Sequence, residues 1–204
     1  MSEPPPWLEA RSLFKSFAGR PVLASLDLTL SHAEIVGVGG ENGTGKTTLL
    51  RILAGLLRPD AGERVVRGRL GYCPQEPLVF DGLTVSENLA FFAAAYGLGD
   101  WRPGAGELLR RFRFDAHSRA RVATVSGGTR QKLNLVAALL HDPDVLLLDE
   151  PYSGLDWESY LEFWTHAREL RERGKALIVV SHIVHERERF DRVLDLREGR
   201  LRCA

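Results

Sequence analysis

Nine consecutive residues, Gly40-Glu41-Asn42-Gly43-Thr44-Gly45-Lys46-Thr47-Thr48, combine the side chains and the backbone freedom that hold a chain of phosphates. Glycines let successive amides curl into a nest around an anion, and a helix that starts behind them turns its positive end to the same charge. In the spacing Gly40-x-x-x-x-Gly45-Lys46-Thr47, the lysine can bridge the outer phosphates and the threonine hydroxyl can ligate magnesium. Farther along, the apolar run Val145-Leu146-Leu147-Leu148 ends in Asp149 and Glu150. The first carboxylate suits a metal and the second suits the orientation and polarisation of an attacking water. Ser126-Gly127-Gly128 forms a second anion nest ahead of an amphipathic stretch, with a hydroxyl and bare amides that fit a terminal phosphate. Two nests for one triphosphate point to two chains clasping it between them.

These groups converge only if particular elements carry them. Ile35 to Gly39 is a short apolar strand leading into the glycine loop, and Lys46 to Ala54 a helix that Gly55 stops. Val145 to Asp149 and Ala176 to Ser181 are buried strands, separated by a helix from Trp157 to Arg173. Ser126 is a good N-cap for a helix with Leu133, Val136, Ala137 and Leu140 on one face. Strands alternating with helices imply a mostly parallel sheet with ligand chemistry at the strands' carboxyl ends. Leu8 to Leu13 and Val22 to Leu30 are further strands, and Pro59 to Gly62 a turn. Val65 to Cys73 holds two short extended pieces broken at Gly68, and Val193 to Leu196 with Arg200 to Arg202 makes a closing hairpin around Gly199. From Glu76 to Val125 the pattern is helical: Thr84 and Glu87 form a capping box, Gly97 ends that helix, Trp101 to Gly106 is a loop, and Glu107 to Phe112 is a second helix. The expectation is one domain over 1–204 with a helical subdomain inserted at 76–125.

Composition narrows the classes. The chain has 204 residues, 44% hydrophobic and 26% charged, which suits a folded domain with a real core. Lysine plus arginine number 27 and aspartate plus glutamate 27, so no overall basic field draws in nucleic acid, and none is expected as a partner. The apolar runs fall far short of the ~20 residues a membrane-crossing helix needs. The start lacks both a basic flank and a hydrophobic stretch, so no secretion signal is expected and a cytoplasmic location is. Cys73 and Cys203 stand alone and are expected to be free thiols, and His32 and His166 to be surface residues.

With these motifs in this order, the chain resembles the ATP-binding cassette (ABC) family, specifically the nucleotide-binding subunit of a transporter, over nearly all its length. The resemblance implies an α/β P-loop NTPase with an ABC-type core: a mostly parallel sheet, a small antiparallel β region and an inserted helical subdomain. It implies that Ser126, Gly127 and Gly128 act in trans, on ATP held by a partner's glycine loop. Gln75, after Gly71-Tyr72-Cys73-Pro74, would sense magnesium and the attacking water. Asp156, in Ser153-Gly154-Leu155-Asp156, would communicate across the dimer seam while also capping the Trp157 helix. His182 would contact the γ-phosphate, and Phe17, in Lys15-Ser16-Phe17, would stack on adenine. Catalysis would fall to Glu150, His182, Lys46 and Gln75, and Mg2+ to Thr47, Gln75 and Asp149.

Three departures stand out against the family pattern. Val125 and Thr129 occupy positions where the signature carries leucine and glutamine; the stretch from Lys46 to Gln75 is short, which implies looser base recognition; and the sequence ends soon after the final hairpin, so the regulatory extension of some importer subunits is not expected. The expected protein is a Mg2+-dependent ATPase that homodimerises around ATP and couples through 76–125 to a separate polytopic membrane subunit, peripheral on the inner face of the cell membrane. The compact form leans towards export. A soluble cassette acting on ribosomes or DNA is the alternative, but such relatives carry paired cassettes, long coiled-coil inserts or zinc modules, none of which is present.

Overall fold

A computed structural model of the chain describes residues 4–181 and 186–203. In chain order the elements are β1 (Leu8–Phe17), β2 (Arg20–Leu30), β3 (Ile35–Gly39), α1 (Lys46–Leu53), β4 (Ala61–Val66), β5 (Leu70–Cys73), α2 (Val85–Ala95) and α3 (Arg102–Arg111). Then come α4 (Gly127–Leu139), β6 (Val145–Asp149), α5 (Trp157–Glu172), β7 (Ala176–Val180), β8 (Arg192–Arg197) and β9 (Arg200–Cys203). Among the described residues these strands form two sheets. One is antiparallel, ordered β2-β1-β4; the other is ordered β5-β6-β7-β3-β8-β9 and is parallel except for β9, which pairs antiparallel with β8.

Alternation along the central strands splits the core in two. Val145 and Leu147 of β6 and Ala176, Ile178 and Val180 of β7 pack with Leu49, Leu50, Ile52 and Leu53 of α1 and with the antiparallel sheet. Their neighbours Leu146, Leu148, Leu177 and Val179 face the opposite way, into a cluster with Leu133, Val136, Phe163 and Trp164 from α4 and α5. The parallel strands are therefore apolar on both faces, which is why they read as continuous hydrophobic runs.

Several boundaries differ from the sequence reading. Trp101 to Gly106 is mostly helix rather than loop: α3 starts at Arg102, with Pro103 in the first turn, where a missing N–H costs nothing. Ala61 and Gly62 belong to β4 rather than to a turn. Gly62 has φ +85°, and a Cβ there would lie 2.4 Å from the Ser12 carbonyl oxygen of β1, so the two strands approach too closely for a side chain. The extended pieces on either side of Gly68 enter different sheets. The capping box forms as read, the Thr84 hydroxyl accepting from the Glu87 amide and the Glu87 carboxylate from the Thr84 amide. His166 is not a surface residue: it lies half-buried on α5, its ring 6.3 Å from that of Phe112 at the end of α3 and its Nδ1 3.5 Å from the Glu169 carboxylate. His32 is also partly covered, its ring 4.3 Å from that of Trp7. Both cysteines are free, Cys73 buried and Cys203 exposed.

Candidate active site

The loop from Gly40 to Gly45 follows β3 and precedes α1. Its backbone needs the glycines: Gly40, Gly43 and Gly45 have φ of 136°, 78° and 106°. A Cβ on Gly45 would come within 2.7 Å of the Val22 side chain, and one on Gly40 within 2.7 Å of the Leu196 carbonyl oxygen. The loop is thus pressed between β2 and β8. Lys46 is buried, and its ammonium donates to the carbonyls of Gly40 at 2.7 Å and Glu41 at 2.8 Å. Burial pulls its pKa below the usual lysine value, against the nearby carboxylates of Glu150, Asp149 and Asp195.

Asp195 comes from β8, whereas Asp149 and Glu150 arrive from the end of β6. In a continuing strand, Asp149 and Glu150 would point to opposite faces. The chain instead turns at Glu150, whose φ of 49° is left-handed, with its amide donating to the Val180 carbonyl at 2.9 Å. Both side chains then border one cavity of about 260 Å³. The same cavity is lined by Asn42, Gly43, Gly45, Lys46, Thr47 and Thr48 of the loop and helix, by Gln75 beyond β5, and by Phe17 and Val22 at the antiparallel sheet. Phe17 is half exposed, with the Lys15 ammonium 5.5 Å from its ring centre. Gly40, Glu41 and Thr44 line a separate recess with Asp195, Arg197 and Glu198.

Ser126, Gly127 and Gly128 do not line that cavity. Ser126 caps α4, its Oγ accepting from the Thr129 amide at 3.1 Å, and Ser126 and Gly127 are exposed. Gly128 is packed, since a Cβ there would sit 2.6 Å from the Gly154 carbonyl oxygen. Asp156 caps α5 by accepting from the Ser159 amide at 2.9 Å, and its other oxygen lies 2.7 Å from the Lys132 ammonium. His182 lies outside the described residues.

Two residues that sequence reasoning passed over tie these parts together. Gln131 donates to the Pro151 carbonyl at 3.2 Å, and Lys132 makes the ion pair with Asp156. Reading α4 by one apolar face hid them. In the fold, residues from Gln131 to Leu139 are all buried, so polar groups on every side of this helix must find partners. The available signal was polar residues interleaved with an apolar run directly behind a glycine pair.

The site fits a magnesium ion to the extent that it offers a hydroxyl, Thr47, and a carboxylate, Asp149, on one cavity, with phosphate oxygens and water to complete an oxygen shell. Among the described residues no group of three or more histidine, cysteine, aspartate or glutamate side chains could hold a metal unaided.

Comparison with known proteins agrees with this geometry. The ABC transporter family profile matches residues 23–153. The Nod factor export ATP-binding protein I of Paraburkholderia xenovorans is 36% identical over 95% of this chain and 68% of its own length. An ABC transporter ATP-binding protein of Methanocaldococcus jannaschii is 33% identical over 96% and 76%. Among solved structures, an ATP-binding subunit of an ABC transporter superposes with a TM-score of 0.90 at 28% identity, covering 96% of this chain and 88% of that one. A dimeric bacterial ABC transporter cassette shares the fold, with a TM-score of 0.87 at 22% identity over 95% and 96%. A glycine loop, paired carboxylates and a glutamine around one cavity, in a fold and sequence shared across that group, make this chain a member of the ABC transporter family.

Proposed function

We propose that this chain is the ATP-hydrolysing subunit of a membrane transporter, closing as a homodimer around ATP and driving a separate membrane-spanning subunit. The observation that carries the reading is the single cavity shared by Lys46, Thr47, Gln75, Asp149 and Glu150. The loop amides and the Lys46 ammonium bind the phosphates and stabilise charge that grows on the transferring group. Thr47 and Asp149, with Gln75 beside them, would hold Mg2+, which when bound neutralises phosphate charge. Glu150 holds and polarises the attacking water as its base, and His182 is assigned to the γ-phosphate. Phe17, at the cavity's rim, offers its ring to adenine.

Ser126 and Gly127 are exposed at the head of α4 and do not line their own chain's cavity, which supports the second nest closing on a partner's nucleotide. The helical stretch 76–125 is the inserted subdomain that transmits the work. A largely apolar groove of about 200 Å³ runs between Leu56, Tyr72, Leu78 and Tyr96 beside it, and Leu56, Leu78, Phe80 and Phe91 are exposed. Such a patch suits a short amphipathic helix from the membrane subunit. That docking places the chain at the inner face of the membrane, and the names of its exporter relatives favour export.

The test is Glu150→Gln. Binding of ATP should persist while phosphate release drops about a hundredfold or more, the scale of a lost general base. The variant should also elute as a dimer when ATP and Mg2+ are present. Turnover at the wild-type rate would remove Glu150 from its role.

A further inference from the structure

Gln75 lies in the connection 74–84 between β5 and α2, and a neighbouring element must help to hold it against the cavity. Asn134, on α4, does so. Its side chain is buried, and its amide nitrogen donates to the Pro74 carbonyl at 2.8 Å and approaches the Cys73 sulfur at 3.2 Å. Its amide oxygen accepts from the Leu78 amide at 3.2 Å. One side chain thus grips the backbone on both sides of Gln75, one residue before it and three after. A second buried asparagine, Asn88 of α2, grips the same connection farther along, accepting from the Phe80 amide at 2.7 Å and donating to its carbonyl at 3.0 Å.

The helix that bears Asn134 begins at Ser126 and also carries Gln131, bonded to the backbone just after Glu150, and Lys132, paired with Asp156. A displacement at the serine end of α4 therefore reaches the Gln75 loop and the Glu150 turn through one rigid element. We infer that Asn134 is a positioning residue for hydrolysis: it fixes Gln75 against the cavity and makes the placement of Gln75 depend on the seating of α4. This rests on the hydrolytic reading of Gln75 given above. A merely structural asparagine would cost stability alone, whereas a positioning one acts on kcat and only through Gln75.

The experiment is a double-mutant cycle in steady-state ATP hydrolysis by the purified full chain, pairing Asn134→Leu with Gln75→Ala, with Asn88→Leu as a comparator that also loses a buried asparagine. Asn134→Leu should lower kcat about tenfold while the KM for ATP and the affinity for a fluorescent ATP analogue stay within about twofold. In the Gln75→Ala background the same change should cost less than about twofold, the signature of residues acting as one unit. Asn88→Leu should lower the unfolding midpoint comparably yet leave kcat within about threefold of wild type. Should Asn134→Leu fail to fold, Asn134→Asp serves in the same cycle, since it keeps the acceptor for the Leu78 amide and loses the donor to Pro74. Wild-type kcat in the Asn134 variant, full additivity with Gln75→Ala, or an equal kcat loss in Asn88→Leu would each overturn the inference. A Gln75→Ala chain that turns over at the wild-type rate would instead strike the hydrolytic reading itself.

Discussion

At the scale of single residues, the site depends on backbone choices that composition does not reveal. Glu150 is held at a left-handed φ, which for a side chain of this size costs on the order of 1–3 kcal/mol and persists only where the surroundings fix it. The sequence shows Asp149 and Glu150 side by side; it does not show that a turn brings both to one cavity. Asp156 was legible as a helix cap, and its partner was not, because Lys132 reaches it from another helix. The Lys132 ammonium and the Ser159 amide hold the Asp156 carboxyl well below its ordinary value of 3.8. A carboxylate made more acidic by folding adds stability that is whole above its unfolded pKa and is lost as pH falls through the folded one. Asp156→Asn keeps a capping oxygen and removes the ion pair. Its thermal midpoint should therefore sit slightly below wild type at neutral pH, slightly because the side chain is half exposed, and converge with it in acid below about pH 4. A difference that is constant from neutral to acid pH would refute the assignment.

At the scale of elements, α4 is the piece on which the site's parts meet, and it lies close against β5. Gly71 of β5 lets it do so: a Cβ there would fall 2.4 Å from the Ala138 carbonyl oxygen. Gly71→Ala should push the helix outward and cost about 1–3 kcal/mol, as overpacking does, measured as a lowered urea midpoint with unchanged slope. Hydrolysis should fall with it, since Gln131, Lys132 and Asn134 ride on the displaced helix. The parallel strands and the capped helices were readable because apolar runs, a capping box and flanking glycines are local signals. The start of α3 and the true extent of β4 were not. Glycine and proline at 103–106 obscured a helix whose proline occupies a harmless first-turn position, and Gly62 resembled a turn because its reason, a neighbouring strand's backbone, is distant in sequence.

At the scale of the whole molecule, no helix among the described residues is long and apolar enough to cross a membrane. The surface proposed to meet a second copy can be probed at Gly127, where an added Cβ would meet nothing within 4 Å. Gly127→Asp should leave the single chain as stable as wild type or slightly more so, because a carboxylate in the first turn favours the helix. In the Glu150→Gln background it should abolish the ATP-induced dimer, as the new charge would face a terminal phosphate. Light scattering that still finds dimers would count against the trans role of Ser126. The antiparallel sheet contributes at this scale as well. Val22 of β2 lies against Gly45, so the strand beside Phe17, proposed to meet the base, is wedged into the bend proposed to hold the phosphates. The two ends of the proposed nucleotide site are therefore not independent jaws: a substitution that thins Val22 should slacken the hold on the triphosphate through the glycine bend it supports, with the bend's own residues unchanged.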